Sequence, residues 1–83
     1  MLRAYLRVGR LATMPRPGRK RQIVLDHIAQ RFEPGRHYAE AEVNLVLAEF
    51  WDDVAALRRY LVEAALLDRA DGWYWRIGGQ VDV

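Results

Sequence analysis

The sequence predicts a small α+β domain, mostly helical: a winged helix-turn-helix with an extra short N-terminal helix. Three observations predict it. Asp52 to Ile77 reads as one helix running straight into a tight hairpin. Two further helical stripes precede it, separated by a short extended piece. The resulting order of helix, strand, helix, helix and two-stranded ribbon is how a winged helix is built.

Residues 1–9 are expected to hold the extra helix. Over residues 2–8, Leu2 and Leu6 fall on one side and Arg3 and Arg7 on the other. So short a helix is unstable alone in water and needs a partner, either the domain or a second copy. Residues 10–18 form an extended linker, because Pro15 and Pro17 at alternate positions fix φ and disfavour helix.

The winged-helix domain proper is expected over residues 19–78. Its first helix runs from Arg19 to Phe32, with Val24, Leu25, Ile28, Ala29 and Phe32 as the buried stripe. Arg19, Lys20 and Arg21 occupy its first turn, the wrong end of the helix dipole for cations. Such local conflicts sometimes mark a binding site. Glu33-Pro34-Gly35-Arg36 turns the chain, and Arg36-His37-Tyr38 is extended.

A second helix spans Glu40 to Phe50, with Val43, Val46, Leu47 and Phe50 on its inner side. Trp51 makes the corner. The third helix is capped by Asp52 or Asp53 and buries Val54, Leu57, Leu61 and Ala64, while Ala56, Arg59 and Glu63 point away. Asp71-Gly72 supplies the two positive-φ positions of a type I′ hairpin turn. Trp73, Trp75 and Ile77 then alternate with Tyr74 and Arg76, which assigns the tryptophans to the core or to a dimer contact. Residues 79–83 read as a flexible tail.

Eighty-three residues allow one domain, and the 52% hydrophobic content is enough for a core. There is no cysteine, so no disulfide or thiolate site can form. No apolar run approaches the roughly 20 residues of a membrane span. Arginines run through the apolar part of the N-terminus, unlike a secretory signal, so a cytoplasmic protein is expected. The net charge of +2 is unevenly spread: residues 1–38 carry nine basic and two acidic groups, residues 39–83 four and nine. These halves can attract each other, or present a basic face to an anionic partner.

The motifs G-R-L-x-x-x-P, a following K-R, V-L-x-x-I-A-x-x-F-E-P-G-R-x-Y-x-E-x-E-V-N, D-x-A-x-L-R-R-Y-L-V and L-L-x-R-x-x-G-x-Y-W-R run in order from about Gly9 to Arg76. This pattern resembles the bacterial domain-of-unknown-function family 2087. The resemblance implies a winged-helix-like fold and, by association with upstream transcription regulators in some members, a role in transcription. Two departures are local. Ala39 stands where the family often has Ser or Thr, leaving the second helix without a good N-cap. Ala65 stands where a winged helix often has a glycine at the helix end.

The candidate nucleic-acid contacts are Arg16, Arg19, Lys20, Arg21, Arg58, Arg59, Arg69 and Arg76. Arg58 and Arg59 lie on the presumed reading helix, where Arg59 can meet a phosphate or a guanine edge. The plainer reading pairs Arg58 with an acidic neighbour such as Asp53 or Asp68 and leaves Arg59 solvated. Arg16 to Arg21 form the densest basic run, suited to a phosphate-contacting arm or to docking the acidic half. Asn44 is expected to bond backbone at the turn. No catalytic set is present: the chain has no serine or cysteine, and its one threonine, Thr13, lies in the linker. His27 and His37 lack the ligand spacing of a metal site, and no cofactor motif occurs. Two functions are therefore expected as alternatives. One is a nucleic-acid-binding, transcription-regulatory module on duplex DNA. The other is a protein-interaction module, forming a homodimer through Leu2, Leu6 and Trp73.

Overall fold

Eight elements follow one another in the computed structural model, which describes residues 6–7 and 10–79. They are β1 (Leu6–Arg7), β2 (Arg10–Leu11), α1 (Arg19–Ala29), β3 (His37–Ala39), α2 (Glu40–Ala48), α3 (Val54–Glu63), β4 (Leu67–Ala70) and β5 (Trp73–Arg76). The result is a small α+β domain of three helices and a three-stranded antiparallel sheet, compatible with the expected winged helix. The strand order is β3-β5-β4.

The three helices bury the stripes their periodicity dictates. Val24, Leu25, Ile28, Ala29 and Phe32 from the α1 segment are fully buried, as are Val43 and Leu47 of α2 and Leu57 and Leu61 of α3. Each large side chain taken from water contributes roughly 1.5–3 kcal/mol, so this cluster holds the fold together. Ala56, expected to point outward, is instead buried. None of the helices among the described residues is long and apolar enough to cross a membrane.

The helix ends follow their local chemistry. Asp53 caps α3, its Oδ1 accepting from the Ala56 N–H at 3.1 Å. At α2 only half of a capping box exists. Glu42 Oε1 accepts from the Ala39 N–H at 3.2 Å, but alanine has no oxygen to return the bond. The exit from α3 is a Schellman turn made by a non-glycine residue. Ala65 sits at φ 59°, with the Ala65 N–H on the Val62 carbonyl and the Leu66 N–H on the Leu61 carbonyl. Gly78 packs against this turn so closely that a Cβ there would run into the Ala65 carbonyl oxygen.

The hairpin forms as Asp71-Gly72 predicts, with φ 53° and 82° at the two turn residues. Of the two places expected for the tryptophans, core or dimer contact, the core is taken by Tyr74 instead. Tyr74 is only 2% exposed, whereas Trp73 and Ile77 are 48% and 53% exposed and Trp75 is half-buried. Tyr74 lies opposite Tyr38 in β3, and its hydroxyl donates to Glu40 Oε1 at 3.2 Å. The buried ring thus keeps a partner for its polar end. Trp75 stacks on His37 on the other face, ring centroids 4.8 Å apart.

The chain before α1 also departs from expectation. Of the stretch read as an N-terminal helix, the described residues Leu6 and Arg7 form a strand, antiparallel to β2 with Leu6 opposite Leu11. The rest of that stretch, including Leu2, lies outside the described residues. The linker docks on the corner between α2 and α3: the Leu11 N–H donates to the Phe50 carbonyl at 2.7 Å and the Leu11 side chain is buried. Of the expected flexible tail, only Gly79 is described, packed near Asp26 and Leu66.

Candidate nucleic-acid interface

The basic and acidic halves meet inside one molecule. Arg10 pairs with Asp52 at 2.6 Å, Arg31 with Glu49 at 2.9 Å and Arg36 with Glu42 at 3.4 Å. Arg10 also donates to the Ala48 carbonyl, placing a cation at the C-terminus of α2. Asp52 is thus paired, Asp53 caps α3 and Glu63 lies beside Arg59, so all three acidic groups on the α3 segment are engaged.

Among the described side chains of the basic half, those without an acidic partner include a group at the start of α1. Arg16, Arg19 and Lys20 are exposed and make no ion pair among the described residues. Together with Pro15, Pro17 and Gly18 they line a surface hollow of about 330 Å³. Gly18 precedes the helix with no side-chain cap, and the first turn has no acidic residue, so the helix's own first turn does not offset the positive end of the dipole.

Arg21 points the other way. Its Nε donates to the Pro15 carbonyl at 2.9 Å, and its guanidinium lies 4.5 Å from the Tyr60 ring centre on α3. Arg59 approaches the same ring at 5.5 Å. Tyr60 therefore joins the α1 cluster to the exposed side of α3. Trp51 supports the ring, stacked at 6.4 Å.

Beyond Arg59, the groove between α3 and β4 continues the basic surface. It encloses about 350 Å³ and is lined by Ala55, Arg58, Arg59, Val62, Glu63, Arg69 and Tyr74. Arg58 is held in place: Asn44 Oδ1 accepts from its Nη1, and Glu40 Oε1 lies 3.8 Å from its Nη2. Arg58 thus has the expected acidic neighbour, here Glu40 in place of Asp53 or Asp68, and Asn44 bonds a side chain rather than backbone. Besides its approach to the Tyr60 ring, Arg59 has an exposed pair with Glu63 at 3.8 Å, an interaction of small energy. The Arg69 side chain has no ion pair among the described residues.

Seven of the eight predicted residues therefore lie along one run from the α1 start, across Tyr60, to the α3–β4 groove. Arg76 does not join them. Its Nε donates to the Gly78 carbonyl at 2.9 Å and its Nη1 to the Phe32 carbonyl at 3.2 Å, so it ties β5 to the end of the α1 segment. Sequence reasoning missed Tyr60, Glu40 and Tyr74. The adjacent Arg59-Tyr60 pair was a signal, but the 38 residues between Arg21 and Tyr60 hid their contact.

The chain from residue 10 to residue 76 matches the model of a family described as "Uncharacterized protein conserved in bacteria (DUF2087)". Neither a curated protein nor a solved structure shows significant similarity to the chain.

Proposed function

The chain belongs to the bacterial DUF2087 family, and from the site above we propose that it is a winged helix-turn-helix module that binds duplex DNA and serves transcription regulation. The observation that carries this reading is the sharing of Tyr60 by Arg21 and Arg59. It links two basic clusters, distant in sequence, into one band. Arg16, Arg19 and Lys20 contact phosphates at one end, and Arg59 and Arg69 at the other. The exposed Arg59 and Arg69, with Arg58 held in orientation by Asn44 and Glu40, suit contacts to the DNA backbone. Within this reading the protein acts in the cytoplasm as a binding module, without catalysis or cofactor.

Titration of labelled duplex DNA with the full chain, followed by fluorescence anisotropy at several salt concentrations, tests it. Binding should weaken steeply with salt, through counterion release. Arg19→Glu and Arg69→Glu should each weaken it for every DNA sequence and lower the salt slope by about 1. No binding at low salt would remove the proposal.

The outer sheet face favours a second, compatible reading as a homodimer. Trp73 and Ile77 are exposed there beside the His37–Trp75 stack, and large exposed apolar groups mark association surfaces. Light scattering should give a dimer for the native chain and a monomer for Trp73→Ser. A monomer at high concentration for both would exclude it.

A further inference from the structure

The α3–β4 groove has the features of a small-ligand site as well as of a step along a basic band. Its volume of about 350 Å³ falls in the range of roughly 300–1,000 Å³ typical of such sites. Three guanidinium groups line it, with Glu63 beside Arg59 and Glu40 beside Arg58, which leaves a net positive lining that favours an anion. Ala55 and Val62 give it an apolar wall. We propose that this groove binds a small phosphate monoester of mononucleotide size.

The three arginines differ in a way that suits such a ligand. Arg58 is placed in advance by Asn44 and Glu40, and Glu40 in turn takes the Tyr74 hydroxyl. Arg59 lines the groove with two weak partners, the exposed Glu63 and the Tyr60 ring, that a ligand can replace. Arg69 brings a third fork from β4. A carboxylate has two oxygens to offer three forks. A phosphate monoester has three terminal oxygens and nearly two negative charges, and so can engage all of them. The apolar wall takes the organic body, which inorganic phosphate lacks. The proposal stands apart from the nucleic-acid reading, although both use Arg59 and Arg69. If both hold, the ligand neutralises two cations of the band and weakens DNA binding, and DNA weakens ligand binding by the same factor.

The test is titration of the full, isotope-labelled chain with AMP, followed by the arginine side-chain Nε–H signals in NMR. Inorganic phosphate, adenosine and succinate serve as comparison probes. AMP should bind saturably and shift Arg58, Arg59 and Arg69, with inorganic phosphate weaker and succinate and adenosine at least tenfold weaker. Ala55→Trp, at an exposed position, fills the groove without touching the core, and should weaken AMP at least tenfold. Arg19→Glu should change AMP binding less than twofold. The proposal is overturned if AMP shifts Arg16 and Arg19 as strongly as Arg69, if Ala55→Trp leaves binding intact, or if adenosine or succinate binds equally well. Duplex DNA binding without AMP binding also overturns it while leaving the nucleic-acid reading in place. AMP binding without DNA binding does the reverse.

Discussion

The Arg21 guanidinium lies 4.5 Å from the centre of the Tyr60 ring, and this contact couples the start of α1 to the middle of α3. It places a cation on a half-buried aromatic face, where water only partly screens the attraction. The same contact aligns the two basic clusters of the candidate interface, so stability and binding can be probed together.

A double-mutant cycle of Arg21→Ala and Tyr60→Ala, measured by urea unfolding, should return a coupling of about 0.5–1 kcal/mol. Tyr60→Phe should be nearly neutral, within about 0.5 kcal/mol, because the ring carries the contact. Tyr60→Ala should also weaken DNA binding. A coupling indistinguishable from zero would mean that the two clusters are neighbours without an energetic link.

Ala65 holds a left-handed conformation at the end of α3, a position where glycine is usual. The Cβ penalty there is on the order of 1–2 kcal/mol, partly offset by the greater unfolded-state freedom of glycine. Ala65→Gly should therefore stabilise the domain by roughly 0.5–1 kcal/mol, raising Tm by about 3–6 °C. Gly78→Ala should act in the opposite direction, because its Cβ meets the Ala65 carbonyl oxygen. Thermal melts of both variants check the pair, and a lower Tm for Ala65→Gly would contradict the cap assignment.

Ala39 has the extended backbone of an N-cap, and Glu42 already supplies the returning half of the capping box. Ala39→Ser should complete the box and add about 0.5–1 kcal/mol. Denaturant unfolding with an unchanged m-value would register this gain. No gain would mean that the serine hydroxyl cannot reach the Glu42 N–H.

Much of the frame was legible because it depends on local rules. Three apolar stripes of period 3.6 identify α1, α2 and α3, and Asp71-Gly72 identifies the hairpin turn, since few other pairs accept two positive φ values. The helix caps were legible too: Asp53 was one of two expected caps, and the missing oxygen at Ala39 is visible in the sequence. The facing of β5 was not. Alternation separates Trp73 and Trp75 from Tyr74 and Arg76, but a period of two does not say which set faces inward. The pairing of Tyr74 with Tyr38 and its bond to Glu40 settled it.

The same division holds for the site. By itself the sequence determined the helices, the tight turn and the uneven charge, because each depends on residues only a few positions apart. Tertiary structure alone decided which charges are engaged internally and which remain open. Arg10, Arg31 and Arg36 each found an acidic partner, Arg76 turned to backbone carbonyls, and Arg16, Arg19, Lys20 and Arg69 were left facing outward. Those outcomes depend on distances between residues far apart in the chain, which are fixed only when the helices and the sheet pack around one core.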